Sequence, residues 1–209
     1  MGIYERKQRE KEQRKIGIIN AARKIFSNKG FNTATIEEIA IEAELSPGTL
    51  YLYFKSKEEL HTSLSIEILK HLADEIQKVV SQKISVEEKI EKFCDVFIEM
   101  YEYDSNILIN LFHLQSGETL KNLSDEFLQQ IITHSIMAHG AMVDVIKEGI
   151  DQGVFIDENP VALADILWSS YAGVVLWVDS KRLLNSQKDF VKSTLKMAFK
   201  IIIKGLKKE

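Results

Sequence analysis

The spacing of apolar residues constrains this sequence most, because it follows the period of an α-helix along nearly the whole chain of 209 residues. Alternation of apolar and polar residues, the mark of a half-buried strand, is almost absent. Only two prolines and ten glycines interrupt the pattern. A β-sandwich or α/β barrel of this length needs more turn residues than that. The sequence therefore predicts an all-α protein of about nine helices.

Capping signals divide the pattern into helices. Thr35, Ser56 and Ser85 each precede a glutamate by three residues, which is the spacing of a capping box. Ser46-Pro47 and Asn159-Pro160 each combine an N-cap residue with a proline at the first helical position. Two short helices are expected between residues 35 and 54. Longer ones are expected over about residues 10–28, 56–81, 86–101, 105–114, 118–149, 160–180 and 187–204.

The distribution of charge suggests two parts with different partners. The chain as a whole carries −4, but residues 1–57 carry +4 and residues 58–209 carry −8. A cationic head on an acidic body suits the binding of a polyanion by the head alone, although a chance fluctuation would give the same numbers. We therefore expect a domain at 1–57 and a larger helical domain at 58–209.

Two short helices at residues 35–54 have the spacing of a helix-turn-helix. Ala43-Glu44-Leu45 is too short a connection for antiparallel packing, so the helices must cross steeply. The helix over 10–28 supplies an apolar floor, formed by Ile18, Ala22, Ile25 and Phe26. In such a three-helix head the second short helix enters the major groove of DNA. Two short helices with a tight turn also occur in all-α proteins that bind no DNA.

The second short helix has residues suited to that groove. Ser46, Gly48 and Thr49 are small, and the helix N-terminus offers free N–H groups to phosphate. Leu50 and Phe54 are expected to face the core and Tyr51 to face the nucleic acid. The full set of expected DNA contacts is Thr35, Ser46, Pro47, Gly48, Thr49, Tyr51, Tyr53, Lys55 and Lys57.

The same region resembles the N-terminal domain of TetR-type transcriptional regulators. The resemblance covers about residues 12–72 and rests on the runs INAARKIF at 19–26, GF at 30–31, TIEEIA at 35–40 and LSPGTLYLYFKSKEEL at 45–60. It implies a homodimer that binds a palindromic operator and releases it when a small molecule fills the C-terminal domain. It also implies DNA contacts at Thr35, Ser46, Gly48, Thr49, Tyr51 and Lys57. Gly48 replaces a larger side chain of some members, so operator specificity does not transfer.

The six basic residues at positions 6–15 have two interpretations. They precede most of the resemblance and are interleaved with Glu5, Glu10 and Glu12. An arm that touches the DNA backbone or minor groove is one interpretation. The other, which the interleaved charges favour, is a solvated extension of the first helix with ion pairs four residues apart.

The larger domain contains many aromatic and methionine residues at helical spacing. They could line a cavity for an apolar or amphipathic ligand, although such residues more often form plain core. His134 and His139, five residues apart, fall on different faces, so no metal pair is expected. The candidate pocket residues are Phe93, Phe97, Met100, Tyr101, Phe112, His113, Met137, Trp168 and Tyr171.

A dimer seam is expected on the last two helices. Small residues on one helix allow close approach, and an apolar stripe on the next faces them. Left uncovered, this surface would be unusual for a soluble monomer. The family resemblance implies a four-helix seam of this kind. The candidate interface residues are Ser169, Gly173, Trp177, Phe190, Met197 and Ile201.

The remaining features bear on function class and compartment. Cys94 is the single cysteine, so it cannot form an internal disulfide. The uncharged stretches 127–143 and 166–178 are interpreted as buried helices of a soluble protein, and a cytoplasmic location without a secretory signal is expected. No metal cluster, cofactor motif or catalytic motif is evident. The leading hypothesis is a ligand-responsive transcriptional repressor; the alternatives are an activator, a helical ligand carrier that binds no DNA and, remotely, an enzyme.

Overall fold

A computed structural model describes residues 2–116, 123–182 and 190–208. Within these ranges the chain is all-α, with eight helices and one isolated bridge between Phe155 and Lys207. The helices are α1 Ile3–Lys29, α2 Ile36–Glu42, α3 Pro47–Leu50, α4 Lys57–Val80, α5 Val86–Ser116, α6 Asp125–Asp151, α7 Pro160–Arg182 and α8 Val191–Leu206. The predicted class is therefore confirmed.

Eight helices rather than nine result from one kink. Residues 86–116 count as a single helix, α5, in which Asp104 alone leaves helical geometry (φ −158°, ψ 88°). The side chain of Asp104 accepts a hydrogen bond from the Ile107 N–H at 3.1 Å. Asp104 thus caps the second half of α5, as an N-cap residue does. The sequence located this restart correctly but treated it as a separate helix.

Most predicted caps are present as hydrogen bonds. Thr35 and Ser85 each form both bonds of a capping box, and Asn159 accepts from the N–H groups of Val161 and Ala162. The box at Ser56 is only half formed. Ser56 Oγ accepts from the Glu59 N–H at 3.1 Å, while the Glu59 carboxylate accepts instead from the Lys55 N–H.

Four helix boundaries differ from the prediction. α1 begins at Ile3 rather than near residue 10, because a polar helical extension carries no apolar signal. Leu123 and Ser124 are not helical, so α6 begins at Asp125; the expected break at Gly117 lies outside the described residues. α6 also continues past Gly149 to Asp151, and Phe190 precedes α8 as its N-cap.

The chain forms two compact units, Met1–Ser65 and Ile66–Glu209. The smaller contains α1, α2, α3 and the first turns of α4. In the larger unit α6 packs on α7, while α8 packs on both α5 and α7. Lys89 on α5, only 6% exposed, ion-pairs with Glu148 on α6 at 2.8 Å. This pair joins α5 to α6.

Gly149 permits a close approach rather than ending its helix. A Cβ at this position would lie 2.9 Å from Cγ of the buried Phe155 ring, and closer still to two other ring carbons. The ring is held in place because Ile156 N–H donates to the Leu206 carbonyl at 2.8 Å. The loop after α6 therefore closes onto the end of α8 only because position 149 has no side chain.

We expect Gly149→Ala to destabilise the larger unit. Overpacking against the fixed Phe155 ring costs about 1–3 kcal/mol, and the gain in helix propensity, at most about 1 kcal/mol, offsets only part of it. Denaturant unfolding measures the difference. Gly140→Ala on the same helix is the matched control, because its Cβ would meet nothing within 4 Å. Equal or greater stability in the Gly149→Ala variant would contradict the close approach.

Candidate functional site

The smaller unit is built on the apolar face of α1. Ile18, Ala22 and Phe26 are buried, and α1 packs against α2, where Ile39 and Ala40 are fully buried. Gly30, with φ +78°, ends α1 by donating its N–H to the Phe26 carbonyl at 2.8 Å. Three of the four predicted floor residues are thus buried, Ile25 is half-buried, and the predicted C-terminal stop is present.

The turn between α2 and α3 is tight. Glu44 adopts a left-handed conformation with φ +57°, which a residue with a side chain rarely takes. The turn is stabilised because Leu45 N–H donates to the Ala40 carbonyl at 2.8 Å, and Glu44 N–H donates to the Ile41 carbonyl at 3.0 Å. These bonds fix how the chain leaves α2 and enters α3.

Helix α3 is short and continues as a tight turn to Phe54. Ser46 Oγ accepts from the Thr49 N–H at 3.1 Å, and the two hydroxyl groups lie 2.9 Å apart. The side chains of Leu50 and Phe54 are completely buried, as their spacing of four predicted. Tyr51 is 50% exposed. This segment thus presents an aromatic hydroxyl to solvent from a backbone anchored on both sides.

The predicted DNA-contacting residues differ in exposure. Exposed are Thr35, Ser46, Gly48, Tyr51 and Lys55; half-buried are Pro47, Thr49, Tyr53 and Lys57. The hydroxyl groups of Thr35 and Ser46 also cap α2 and α3. Their positions relative to one another are therefore fixed by the helix starts themselves.

Lys57 has internal partners that the sequence did not suggest. Its ammonium donates to the carbonyl oxygens of Phe31 at 2.9 Å and Ala34 at 3.0 Å, and lies 4.6 Å from the centroid of the Phe31 ring. Two of its three N–H groups are therefore engaged within the unit. A contact with phosphate would use the third.

His61 is a half-buried histidine between two aromatic rings, and the sequence did not suggest this position. Its ring packs edge-on against Phe26, with centroids 5.1 Å apart, and 4.5 Å from the Phe31 ring centroid. Burial, reinforced by the charge of Lys57, lowers the pKa of His61 to about 4. The imidazole is thus neutral at pH 7. In the sequence, His61 lies beside Leu60 and three residues before Leu64, and this pattern does not predict that its ring packs against Phe26 and Phe31.

The pKa of His61 makes stability depend on pH. Between pH 6.5 and about 4 the unfolded chain binds a proton that the folded chain rejects, so this contribution to stability is present above pH 6.5 and is lost as the pH falls. The slope approaches about 1.4 kcal/mol per pH unit. We expect urea unfolding at pH 5 and 7.5 to show a smaller pH effect in His61→Phe. An unchanged pH effect would contradict a neutral buried imidazole.

In the larger unit, four predicted pocket residues form one aromatic cluster. Phe97 stacks on Tyr171 with centroids 4.1 Å apart and ring planes within 2°. Phe112 meets Tyr171 edge-on at 5.3 Å, and Trp168 lies 5.8 Å from Phe112. The cluster joins α5 to α7, and Phe199 of α8 packs on Phe97 at 5.7 Å.

The Tyr171 hydroxyl is a buried polar atom of this cluster that has no hydrogen-bond partner in the described part of the chain. Tyr171 is fully buried, and burial raises the pKa of its hydroxyl well above the usual value. An unpaired buried hydroxyl costs about 1–3 kcal/mol. Sequence spacing could identify the ring as core but could not identify the unpaired oxygen.

The other predicted pocket residues surround the cluster unevenly. Phe93, Met100 and Tyr101 are buried on α5, whereas Met137 is 37% exposed and His113 lies at the surface. His139 is bound to Asp165, Nε2 to Oδ1, at 2.8 Å. Cys94 is buried, which raises the pKa of its thiol to about 11.

The predicted interface residues are all solvent-exposed in the single chain. On α7, Ser169, Gly173 and Trp177 share the outer face, and Trp177 is 62% exposed. Met197 and Ile201 of α8 are 59% and 63% exposed, and Phe190 is exposed just before that helix. The opposite face of α8 is buried through residues such as Leu195 and Phe199.

Helix α7 is apolar on both its faces. Pro160–Lys181 is long and apolar enough to cross a membrane by length and composition, and it is the one such helix among the described residues. Only 28% of its most apolar window is buried, so the expectation that 166–178 is a wholly buried helix was wrong. One such helix is weak evidence for a membrane span, since core helices of soluble proteins pass the same test.

Comparison with known proteins agrees with the helix-turn-helix. The family model of the N-terminal domain of bacterial regulatory proteins of the tetR family matches residues 18–64. The Fatty acid metabolism regulator protein of Bacillus subtilis (strain 168) is 28% identical over 147 residues, which cover 68% of this chain and 76% of that protein. The HTH-type transcriptional regulator UidR of Escherichia coli (strain K12) is 42% identical over 60 residues, 29% of this chain and 31% of UidR.

Solved structures share the fold over almost the whole chain. The TetR family regulator PfmR of Thermus thermophilus superposes with a TM-score of 0.71 at 20% identity, covering 91% of this chain and 99% of that one. FadR of Bacillus subtilis in complex with stearoyl-CoA gives 0.68 at 21% identity, covering 91% and 98%. The fold and the matched domain define a helix-turn-helix transcriptional regulator. Residues 18–64 match the N-terminal domain of the tetR family of bacterial regulatory proteins, and a TetR family regulator shares the fold of the whole chain.

Proposed function

We propose that this regulator is a cytoplasmic repressor that binds a palindromic operator as a homodimer and is released by an amphipathic small molecule. The observation that carries the proposal is the segment 46–54, in which buried Leu50 and Phe54 hold Tyr51 half exposed. A helix-turn-helix reads DNA through side chains that project from such an anchored second helix. Tyr51 and the exposed Lys55 would contact base edges and phosphate.

The exposed apolar residues of α7 and α8 support the homodimer. Trp177, Met197 and Ile201 are each about three-fifths exposed in the single chain. Large apolar side chains concentrated on one surface of a soluble protein indicate a partner surface. A two-fold interface would bury this face against its own copy and set the spacing of the two DNA-binding units.

The ligand-binding part of the proposal rests on the aromatic cluster of the larger unit. Phe97, Phe112, Trp168 and Tyr171 offer an apolar environment with one unpaired hydroxyl. A ligand with a long apolar chain and a carbonyl oxygen would match both features. The relative from Bacillus subtilis is named for fatty acid metabolism, and the FadR structure contains stearoyl-CoA. Acyl thioesters are therefore the first class of effector to test.

We expect Tyr171→Phe to stabilise the ligand-free protein and to weaken effector binding. Removing the unpaired hydroxyl removes its desolvation cost, about 1–3 kcal/mol, and leaves the ring stack intact. The same change removes the hydrogen-bond donor for the ligand. Thermal unfolding and titration calorimetry measure the two effects. Tyr103→Phe, at a 55% exposed position, is the control. A lower melting temperature for Tyr171→Phe would contradict an unpaired hydroxyl.

The experiment for the whole proposal is selection of bound fragments from the source genome with the purified protein. We expect palindromic fragments whose binding weakens steeply as salt rises, because Lys and Arg contacts to phosphate release counterions. Long-chain acyl-CoA should then release the fragment and raise the melting temperature of the protein. An affinity for DNA that changes neither with salt nor with any member of a panel of lipids and acyl thioesters would refute the proposed function.

The second candidate function is a helical small-molecule carrier or interaction module without DNA binding. The aromatic cluster of the larger unit would serve either function equally well. A carrier would bind the effector but show no salt-dependent affinity for any duplex.

A reporter gene placed behind the selected operator distinguishes a repressor from an activator, because the direction of regulation depends on the position of the operator.

A further inference from the structure

The first three turns of α1 extend beyond the core of the smaller unit. Residues 4–14 are all exposed, and the first fully buried side chain of the helix is Ile18. This leading segment, residues 4–15, precedes the part matched by the family model. It therefore needs an explanation other than packing within its own unit.

Four of its basic residues lie in one line. Arg14 and Lys15 lie three and four residues after Lys11, which lies four after Lys7, and the set continues the buried line that begins at Ile18. We call these four residues the cationic stripe. Because a helix turns about 100° per residue, Glu5, Glu10 and Glu12 lie about 85° or more from the centre of this stripe.

The ion pairs of the segment follow the same division. Arg6, which lies off the stripe, pairs with Glu10 at 3.2 Å, and Glu5 accepts from the Gly2 N–H at 3.0 Å. Lys7 and Lys11 have no acidic partner among the residues that the structure describes. The interpretation of the segment as a solvated helix with ion pairs therefore explains the residues off the stripe. It does not explain the lysines of the stripe.

The stripe begins next to the helix-turn-helix. Lys15 Nζ lies 6.0 Å from the centroid of the Phe54 ring, and Phe54 ends the segment that presents Tyr51. From Lys15 to Lys7 the helix rises about 12 Å. The stripe therefore runs outward from the proposed DNA-binding segment. Over the same length, measured along the axis of the duplex, DNA carries about seven phosphate charges.

We propose that the cationic stripe binds the phosphate backbone of the duplex flanking the sequence read by the helix-turn-helix. This inference rests on the proposed DNA binding and extends its surface. Lysine side chains on an exposed helix contribute affinity and salt dependence but no base readout. A membrane surface is a poorer match, since an interfacial helix needs a broad apolar face and the stripe has none.

Two double variants with the same change of charge test the proposal. Lys7→Gln/Lys11→Gln neutralises two of the four charges of the stripe, whereas Arg6→Gln/Arg9→Gln neutralises the same number of charges off the stripe. Glutamine keeps the helix propensity of both. Binding of each full-length variant is measured by fluorescence anisotropy over a series of salt concentrations. One duplex ends at the operator edge and the other is longer by about ten base pairs, one helical turn, on each side.

On the long duplex we expect Lys7→Gln/Lys11→Gln to lower the salt slope by about 2 to 4, from up to four lost phosphate contacts per dimer. Its affinity at low salt should fall at least about tenfold. On the short duplex the wild type and this variant should differ much less. The variant off the stripe should match the wild type on both.

Two results would overturn the inference while leaving the proposed function intact. One is an unchanged salt slope for Lys7→Gln/Lys11→Gln on a long duplex that the wild type binds. The other is an equal loss of DNA affinity in Arg6→Gln/Arg9→Gln, which would mean general electrostatic attraction to DNA rather than a defined contact.

If Lys7→Gln/Lys11→Gln binds DNA as tightly as the wild type but loses the wild type's binding to anionic lipid vesicles, a membrane replaces DNA as the partner of the stripe. Failure of the wild type to bind any duplex would instead refute the proposed function.

Discussion

Replacing Tyr51 with alanine is expected to lower operator affinity about 100-fold without changing the fold. A specific side-chain contact with a base contributes about 1–3 kcal/mol, and a dimer would lose two of them. The side chain is 50% exposed, whereas the neighbours that anchor the segment, Leu50 and Phe54, are fully buried. Truncation at position 51 therefore removes contact surface without opening a cavity.

Gel-shift titration with the selected operator measures the loss for Tyr51→Ala. Circular dichroism and light scattering should show unchanged helix content and the mass of a dimer. Tyr103→Ala is the matched control, because Tyr103 is 55% exposed but lies on α5 in the larger unit. Wild-type affinity in Tyr51→Ala would mean that the segment 46–54 does not face the duplex.

Trp177→Glu is expected to produce a folded monomer that no longer binds the operator. Trp177 is 62% exposed on the outer face of α7, with Lys181 Nζ 5.0 Å from its ring centroid. In a two-fold interface each substitution occurs twice, so two carboxylates would be brought into an apolar interface, where desolvation of charge is costly. Breaking the interface separates the two DNA-binding units, and each half-site alone binds weakly.

Analytical ultracentrifugation over a range of concentrations tests the expected monomer. Tyr103→Glu places the same charge at an exposed aromatic residue of α5, and we expect it to remain dimeric. The melting curve of Trp177→Glu shows whether the monomer stays folded. A dimer of unchanged stability in Trp177→Glu would locate the interface away from the outer face of α7.

Sequence patterns predicted the local structure well where the signal is itself local. Thr35, Ser85 and Asn159 cap helices through hydrogen bonds to N–H groups two or three residues away, so the sequence contains both partners. The burial of Leu50 and Phe54 followed from their spacing of four on a helix. The position of Asp104 identified where α5 restarts, although not that the helix continues across it.

What the sequence could not predict depends on residues far apart in the chain. Gly149 looked like a helix end, but its role is contact with a ring that another loop brings in. Lys57 looked like a free cation, yet two carbonyl groups 23 and 26 residues away bind its ammonium. The buried position of the Tyr171 hydroxyl depends on aromatic residues of α5 that lie 59 and 74 residues away in the chain. Contacts of this kind produce no periodic pattern in the sequence.

The division of charge also gains a structural meaning. The positive net charge of residues 1–57 comes from their 11 Lys and Arg, of which six fall between residues 6 and 15 of α1. Only part of that excess is free to meet a polyanion, because Arg6 is paired and Lys57 is bound to carbonyl groups. The placement of the unpaired charges therefore matters more for DNA binding than their number.

A tethered DNA-cleavage reagent tests most directly whether the segment 46–54 faces the duplex. Leu52→Cys gives it an attachment point, because Leu52 is 80% exposed beside Tyr51. Native Cys94 will not compete, since it is buried and the pKa of its thiol is about 11. We predict two clusters of strand cuts related by the two-fold axis of the palindrome, about one helical turn apart or a multiple of it. Uniform cutting, or none, on a duplex that the labelled protein still binds would contradict the account.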